Sequence, residues 1–205
     1  MTEALELFFQ DYLATLPPDR RQLLARYQML DVARKVVGVG SVGTRCWVVF
    51  MRGVDNDDPL FLQVKEAQES VLAPYVGPSA YANQGHRVVA GQRLIQGAPD
   101  IFLGWAEQDG RHYYVRQLRD MKGAFDFTTF DVEDLGEYAV SCAHALAHSM
   151  AKAGDPALLA GYMGKSGAFD QAIEQFALAY AEKNEADWAV LKAAIKSGRI
   201  QAIRE

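Results

Sequence analysis

Gly38, Gly40 and Gly43 give the spacing G-x-G-x-x-G inside the stretch VVGVGSVGTRCWVVF, residues 36–50. Glycine has no Cβ, so such a loop lets backbone N–H groups come close to phosphate oxygens that a larger residue would hold away. Which nucleotide the loop could serve depends on its flanks. A dinucleotide-binding turn passes from a strand into a helix, whose N-terminus supplies donors to the pyrophosphate. Here the glycines run into TRCWVVF, β-branched and aromatic with a period of two, which predicts a strand. The dinucleotide context therefore fails, although Asp57 and Asp58 stand near the distance of a ribose-binding acid. No Gly-Lys-Ser/Thr follows, which removes a Walker-type loop as well.

The next β-type run, Leu60 to Lys65, ends in a lysine. A glycine loop between two antiparallel strands, followed by a third strand bearing a lysine, is the arrangement of protein-kinase-like folds. There the loop covers the phosphates and the lysine pairs with them. Gly38, Gly40, Gly43 and Lys65 have this order, with the lysine as a point charge for spread-out negative charge. The bland alternative is a tight hairpin and a surface lysine. Strand context and Lys65 together lift the pattern above a lone G-x-G-x-x-G.

Three other groups merit weighing. His144 and His148 lie four apart on a predicted helix, with Cys142 nearby, a spacing that can hold a metal. Ala145 stands where a metalloprotease has its glutamate base, and a partly buried pair making helix contacts is the expected reading. Arg116, Arg119, Asp120 and Lys122 cluster at the end of a predicted strand, either as an exposed charged turn or as a surface that meets nucleotide, substrate or another chain segment. Residues 161–166, GYMGKS, have two glycines but no preceding strand, and read as a helix connection rather than an anion loop.

The elements that must position these residues follow from periodicity. Apolar residues at Leu5, Phe8, Phe9, Tyr12 and Leu13 predict a one-sided helix, and Pro17-Pro18-Asp19 opens a second one reaching about Met29. Strand, glycine loop and strand then occupy Val36 to Phe50. The turn-rich Gly53–Pro59 leads to Leu60–Lys65, so an antiparallel meander is expected. Ser79 to Gln96 can form a helix despite Gly85 and Gly91. Ile101–Trp105 and His112–Leu118 flank Asp109-Gly110, a strong hairpin signal, which makes five strands. Beyond Gly123 the chain turns helical over Val132–Ala153, Ala168–Lys183 and Asp187–Lys196.

The 205 residues are 50% hydrophobic and 23% charged, the composition of an ordinary globular chain. A net charge of -5 argues against a general nucleic-acid binder, which needs a concentrated basic surface. Two widely separated cysteines indicate neither a disulfide framework nor a zinc knuckle, and no apolar run approaches the roughly 18 residues of a membrane span. A cytoplasmic protein that neither binds nucleic acid nor enters a membrane is expected.

The stretches ARKVVGVGSVGTRCW, DPLFLQVKEA, GQRLIQGAPDIFLGW, YYVRQLRDMKG, GYMGKSGAFDQAI and FALAYAEKNEADW closely resemble the C-terminal half of the bacterial family catalogued as domain of unknown function 2252. The resemblance covers nearly the whole chain. It implies a protein-kinase-like fold in permuted order, with a Gly-Asp-x-His-x-x-Asn-type catalytic loop and an Asp-rich metal-binding segment in an N-terminal half. It further implies phosphate-covering roles for Gly38, Gly40, Ser41 and Gly43 and a phosphate-pairing role for Lys65, with ATP and Mg as cofactor. The chain departs from a complete kinase site in two ways. It has no His-x-Asp or Gly-Asp-x-His followed by Asn and no Asp-Phe-Gly, and it has no glutamate between Glu69 and Glu107 to anchor Lys65 from the next helix. Gln92, Gln96, Glu66, Glu69 or a residue of the other half could take that place.

The expected fold class is α+β and kinase-like. It has N-terminal helices over 1–30, a β-rich small-lobe-like domain with the glycine loop over 31–122, and a helical region over 123–205. The expected function is the ATP-binding half of a kinase-like phosphotransferase, inactive alone, whose phosphate acceptor is a small molecule or a protein. The alternative is a non-enzymatic module that docks to a complementary N-terminal half or self-associates. A third reading, unrelated chemistry on the His144/His148 pair, ranks below both.

Overall fold

The computed structural model describes residues 3–35, 38, 43–119 and 123–202. It is an α+β structure whose described residues form two compact units, 1–153 and 154–205.

The first unit begins with α1 (Glu3–Ala14) and α2 (Pro18–Leu24). Pro18 at the first position of α2 suits a helix start, because its missing N–H would have had no partner there. The chain then enters β1 (Gln28–Arg34) earlier than the sequence indicates: residues 28–30, expected as the end of the second helix, are already strand. Tyr27, Met29 and Val32 pack against the core from this segment, so tertiary burial rather than local helix propensity decides its form. A β-bulge between Met29 and Asp31 keeps β1 in step with β2 (Cys46–Arg52). Next come β3 (Pro59–Glu66), the single turn α3 (Ala73–Val76), α4 (Gln84–Ile95), β4 (Gly104–Gln108), β5 (Arg111–Gln117) and α5 (Val132–Ala153).

All five strands pair antiparallel in the order β1-β2-β3-β5-β4, which bears out the meander and the hairpin. At the β4–β5 turn, Asp109 (φ 51°) and Gly110 (φ 69°) both take the left-handed region that a two-residue hairpin of primed type requires. The final hairpin pairs from Gly104, not from Ile101: Phe102 and Leu103 are buried in the turn before it.

Successive residues of a strand face opposite sides of a sheet. On one side Val49, Met51, Leu60, Leu62, Val64, Ala106, Tyr113 and Val115 form the core with Phe8, Tyr12, Leu16 and Leu24 of the N-terminal segment. The buried Tyr12 hydroxyl donates to the Phe102 carbonyl oxygen at 2.7 Å, and Phe8 meets the Tyr113 ring edge-to-face at 5.6 Å. Helix α4 packs on β4 and β5, its start capped by Asn83, whose side chain accepts from the His86 N–H. The His86 ring stacks on Trp105 with centroids 3.9 Å apart. Close approach at the helix start depends on Gly85, since a Cβ there would lie 2.1 Å from the Tyr113 carbonyl oxygen.

The second unit contains α6 (Pro156–Met163) and α7 (Ala168–Lys196). Asp155 caps α6 by accepting from Ala157 and Leu158, and Gly164, at φ 70°, ends it. The segment 161–166 is thus the end of a helix and its connection, as its sequence suggests. Helix α7 is continuous where two helices were expected, because Asn184, Glu185 and Ala186 contain no breaker.

The two glycines of α4 offer opposite tests. Gly85→Ala should destabilise the first unit by about 1–3 kcal/mol, as overpacking against a fixed backbone does. At Gly91 a Cβ meets nothing within 4 Å, so Gly91→Ala should stabilise it by roughly 0.5–1 kcal/mol through helix propensity. Urea unfolding curves of the two variants would check both signs.

Candidate functional site

The sheet face opposite the N-terminal core carries the residues of chemical interest. Strand registers place Cys46 beside Lys65, Lys65 beside Tyr114 and Tyr114 beside Trp105, so one row crosses β2, β3, β5 and β4. Lys65 therefore sits on the central strand, flanked on both sides, and is half-buried. Burial pushes the Tyr114 phenol above its ordinary range, with the Arg116 charge acting in the opposite direction. The next row pairs Val48, Gln63 and Arg116.

The glycine loop joins β1 to β2, next to the Lys65 row. Lys35 donates its backbone N–H to the Cys46 carbonyl oxygen, continuing the ladder to the edge of the loop. Gly43 takes φ +83°, a left-handed conformation that favours glycine, and a Cβ on Gly38 would meet nothing within 4 Å. Gly40 and Ser41 lie outside the described residues. The structure thus places Lys65, Gly38 and Gly43 on adjoining elements and leaves the crown of the loop undescribed.

Arg45 fixes the returning side of the loop. Its guanidinium Nη1 and its backbone N–H both donate to Glu66 Oε2, at 2.9 and 3.0 Å. The Glu66 side chain is only 10% exposed, and by alternation it faces away from the Lys65 side of the sheet. Glu66 is therefore the partner of Arg45, and of the acids considered for Lys65 it is the one drawn to the opposite face. Gln92 and Gln96, also considered for that place, line a cleft with Asp100 and Arg116.

Sequence periodicity gives no sign of the polar chain behind Arg116. Gln63, 4% exposed, accepts from Arg116 Nε and Nη2 at 3.2 and 3.1 Å and donates through Nε2 to Cys46 Sγ at 3.5 Å. The available signal was a glutamine at a position where the alternation of β3 would admit a side chain between two neighbouring strands. Of the cluster expected at the end of β5, Arg116 is half-buried and Arg119 exposed; Asp120 and Lys122 lie outside the described residues.

His144 and His148 stand on α5 as their spacing predicts, but both are exposed, not partly buried as expected. Helix α5 buries none of its own residues, and so gives the pair nothing to pack under. Among the described residues no three His, Cys, Asp or Glu side chains are grouped to hold a metal. Nor is any described helix long and apolar enough to cross a membrane.

The family model described as "uncharacterized protein conserved in bacteria (DUF2252)" matches residues 1–194, which include the sheet, the loop and Lys65. The chain belongs to this family. No curated protein and no solved structure matches it. For this family member the sheet and its lysine row thus rest on the geometry above.

The two cysteines differ in accessibility, Cys46 being buried under the Lys65 face and Cys142 exposed on α5. In the native protein a thiol reagent should modify one cysteine promptly, and Cys142→Ser should abolish that fast phase. Cys46 should react only on unfolding, as read by mass spectrometry of quenched samples.

Proposed function

We propose that this chain is the ATP-binding half of a kinase-like phosphotransferase, with the β1–β2 loop over the phosphates and Lys65 pairing with them. The single observation that carries the reading is topological. A glycine-containing loop joins two antiparallel strands, and the lysine projects from the neighbouring third strand in the row nearest that loop. Protein kinases use this combination of loop and third-strand lysine to hold ATP. Gly38, Gly40, Ser41 and Gly43 would cover the phosphates, Mg would accompany them, and the acceptor would be a small molecule or a protein. Localisation would be cytoplasmic.

Chemistry would need a second set of residues. Phosphoryl transfer depends on an acid holding the metal and a residue orienting the nucleophile, and positioning supplies most of the acceleration. The sequence has neither the catalytic-loop nor the Asp-Phe-Gly motif, so these groups would come from the N-terminal half implied by the resemblance. The chain by itself would bind nucleotide without turning it over.

Calorimetric titration with Mg-ATP, wild type beside Lys65→Ala, tests the reading. Saturable binding weakened about tenfold or more by the substitution is expected. Negligible and indistinguishable heats from both proteins would sink it.

A second reading, a non-enzymatic module that docks to a complementary half or to itself, is favoured by a separate observation. Ile173, Phe176, Tyr180, Trp188 and Leu191 of α7 recur on one side of the helix yet are exposed, Phe176 by 64%. On α5, Leu135, Leu146 and Met150 are exposed too. Apolar surface of this kind marks an interaction site when it is contiguous. Under this reading the isolated chain should self-associate or bind a hydrophobic dye strongly, and Phe176→Glu with Trp188→Glu should reduce both. A dye-negative monomer at tens of micromolar in sedimentation would exclude it.

A further inference from the structure

The buried Gln63 has a second consequence, at the far side of the lysine face from the glycine loop. An amide on a central strand must find partners when buried, and Gln63 finds them in Cys46 and Arg116. Its Oε1 takes two N–H groups of one guanidinium, which holds Arg116 in a single orientation. The Gln63 pair uses Nε and Nη2 and leaves the two N–H donors of Nη1 outside it. Arg116 borders a cleft of about 230 Å³ between the end of α4 and the end of β5, together with Gln92, Gln96, Asp100, Gln117 and Arg119.

The charge of this cleft runs against that of the chain. Asp100 is its one carboxylate among the described residues, and both oxygens are engaged by backbone: Oδ1 accepts from the Phe102 N–H at 2.7 Å and Oδ2 from the Gln117 N–H at 2.6 Å. Opposing it are Arg116 and Arg119. Two cations thus line the cleft with one carboxylate, in a protein of net charge -5. A guanidinium fixed beforehand loses less rotamer freedom when a ligand arrives, and its planar fork matches a carboxylate or phosphate edge.

We infer that the cleft between α4 and β5 is a binding site for a small oxyanion group, phosphate or carboxylate, held by Arg116 and Arg119 with Gln63 positioning Arg116. It adjoins the proposed nucleotide site, on the side away from the glycine loop. Arg116 lies two residues along β5 from Tyr114, the neighbour of Lys65, or about 7 Å along the strand, away from the glycine loop.

Inorganic phosphate and succinate, titrated separately in low-chloride buffer and followed by amide NMR shifts, distinguish the two sources of the oxyanion. At least one should saturate at a single site, with shifts concentrated at Arg116, Gln117 and Arg119. Arg116→Gln and Gln63→Leu should each weaken that binding tenfold or more, whereas Lys65→Ala should leave it within about twofold. Should Arg116→Gln or Gln63→Leu fail to fold, Arg119→Gln, at an exposed position, should weaken binding at least threefold. The inference is overturned if neither anion saturates, if the foldable variants bind as wild type does, or if Lys65→Ala removes the binding.

Discussion

Everything in the first unit depends on the alternation of β3, the strand at the centre of the sheet. Leu60, Leu62 and Val64 point into the core built with α1 and α2, and this burial fixes the register of β3 against both neighbours. A slip of one residue would send Phe61, Gln63 and Lys65 into that core and expose three aliphatic side chains. Each buried aliphatic side chain is worth about 1.5–3 kcal/mol, and the Lys65 ammonium would have to be desolvated in their place. The lysine is therefore held on its face by hydrophobic packing on the other one.

The same constraint explains the division of labour among charged neighbours. Glu66 follows Lys65 and must face the opposite way, where Arg45 meets it and ties the returning end of the glycine loop to the third strand. A mostly buried carboxylate receiving a guanidinium and a backbone N–H is a charge-assisted pair, stronger than an exposed ion pair. Loop and lysine are consequently braced by adjacent residues of one strand, one bracing the loop and the other facing the row with Cys46 and Tyr114.

Much of this could be read from the sequence because the signals were local. The period-two runs around Cys46–Phe50 and Leu60–Lys65, the Asp109-Gly110 turn and the apolar spacing of α1 each report a short-range preference that the fold keeps. The misreadings have tertiary causes. Residues 28–30 become strand because β2 offers a partner edge and the core takes Met29, and neither is visible in a window of helix propensity. The link from Cys46 through Gln63 to Arg116 joins residues 70 positions apart in sequence, and nothing in any one strand announces it. Lys65 was legible as the lysine of the third strand, whereas Gly40 and Ser41, on which the proposed phosphate-covering role partly rests, fall outside the described residues.

The helices after Phe130 pose the reverse problem: the bounds of α5 and the start of α7 were legible and their burial was not. Val132–Ala153 is found at its expected bounds, yet α5 and α6 bury none of their own residues and α7 buries only Ala194. An isolated amphipathic helix gains little from propensity, and most helical stability comes from packing an apolar face. The apolar stripe of α7 is thus a requirement that its unit, as described, does not meet. A sequence pattern can specify that a face must be covered without naming what covers it. Under the phosphotransferase reading, a complementary segment would have two tasks, covering this stripe and supplying the metal-binding acid and the nucleophile-orienting residue of phosphoryl transfer.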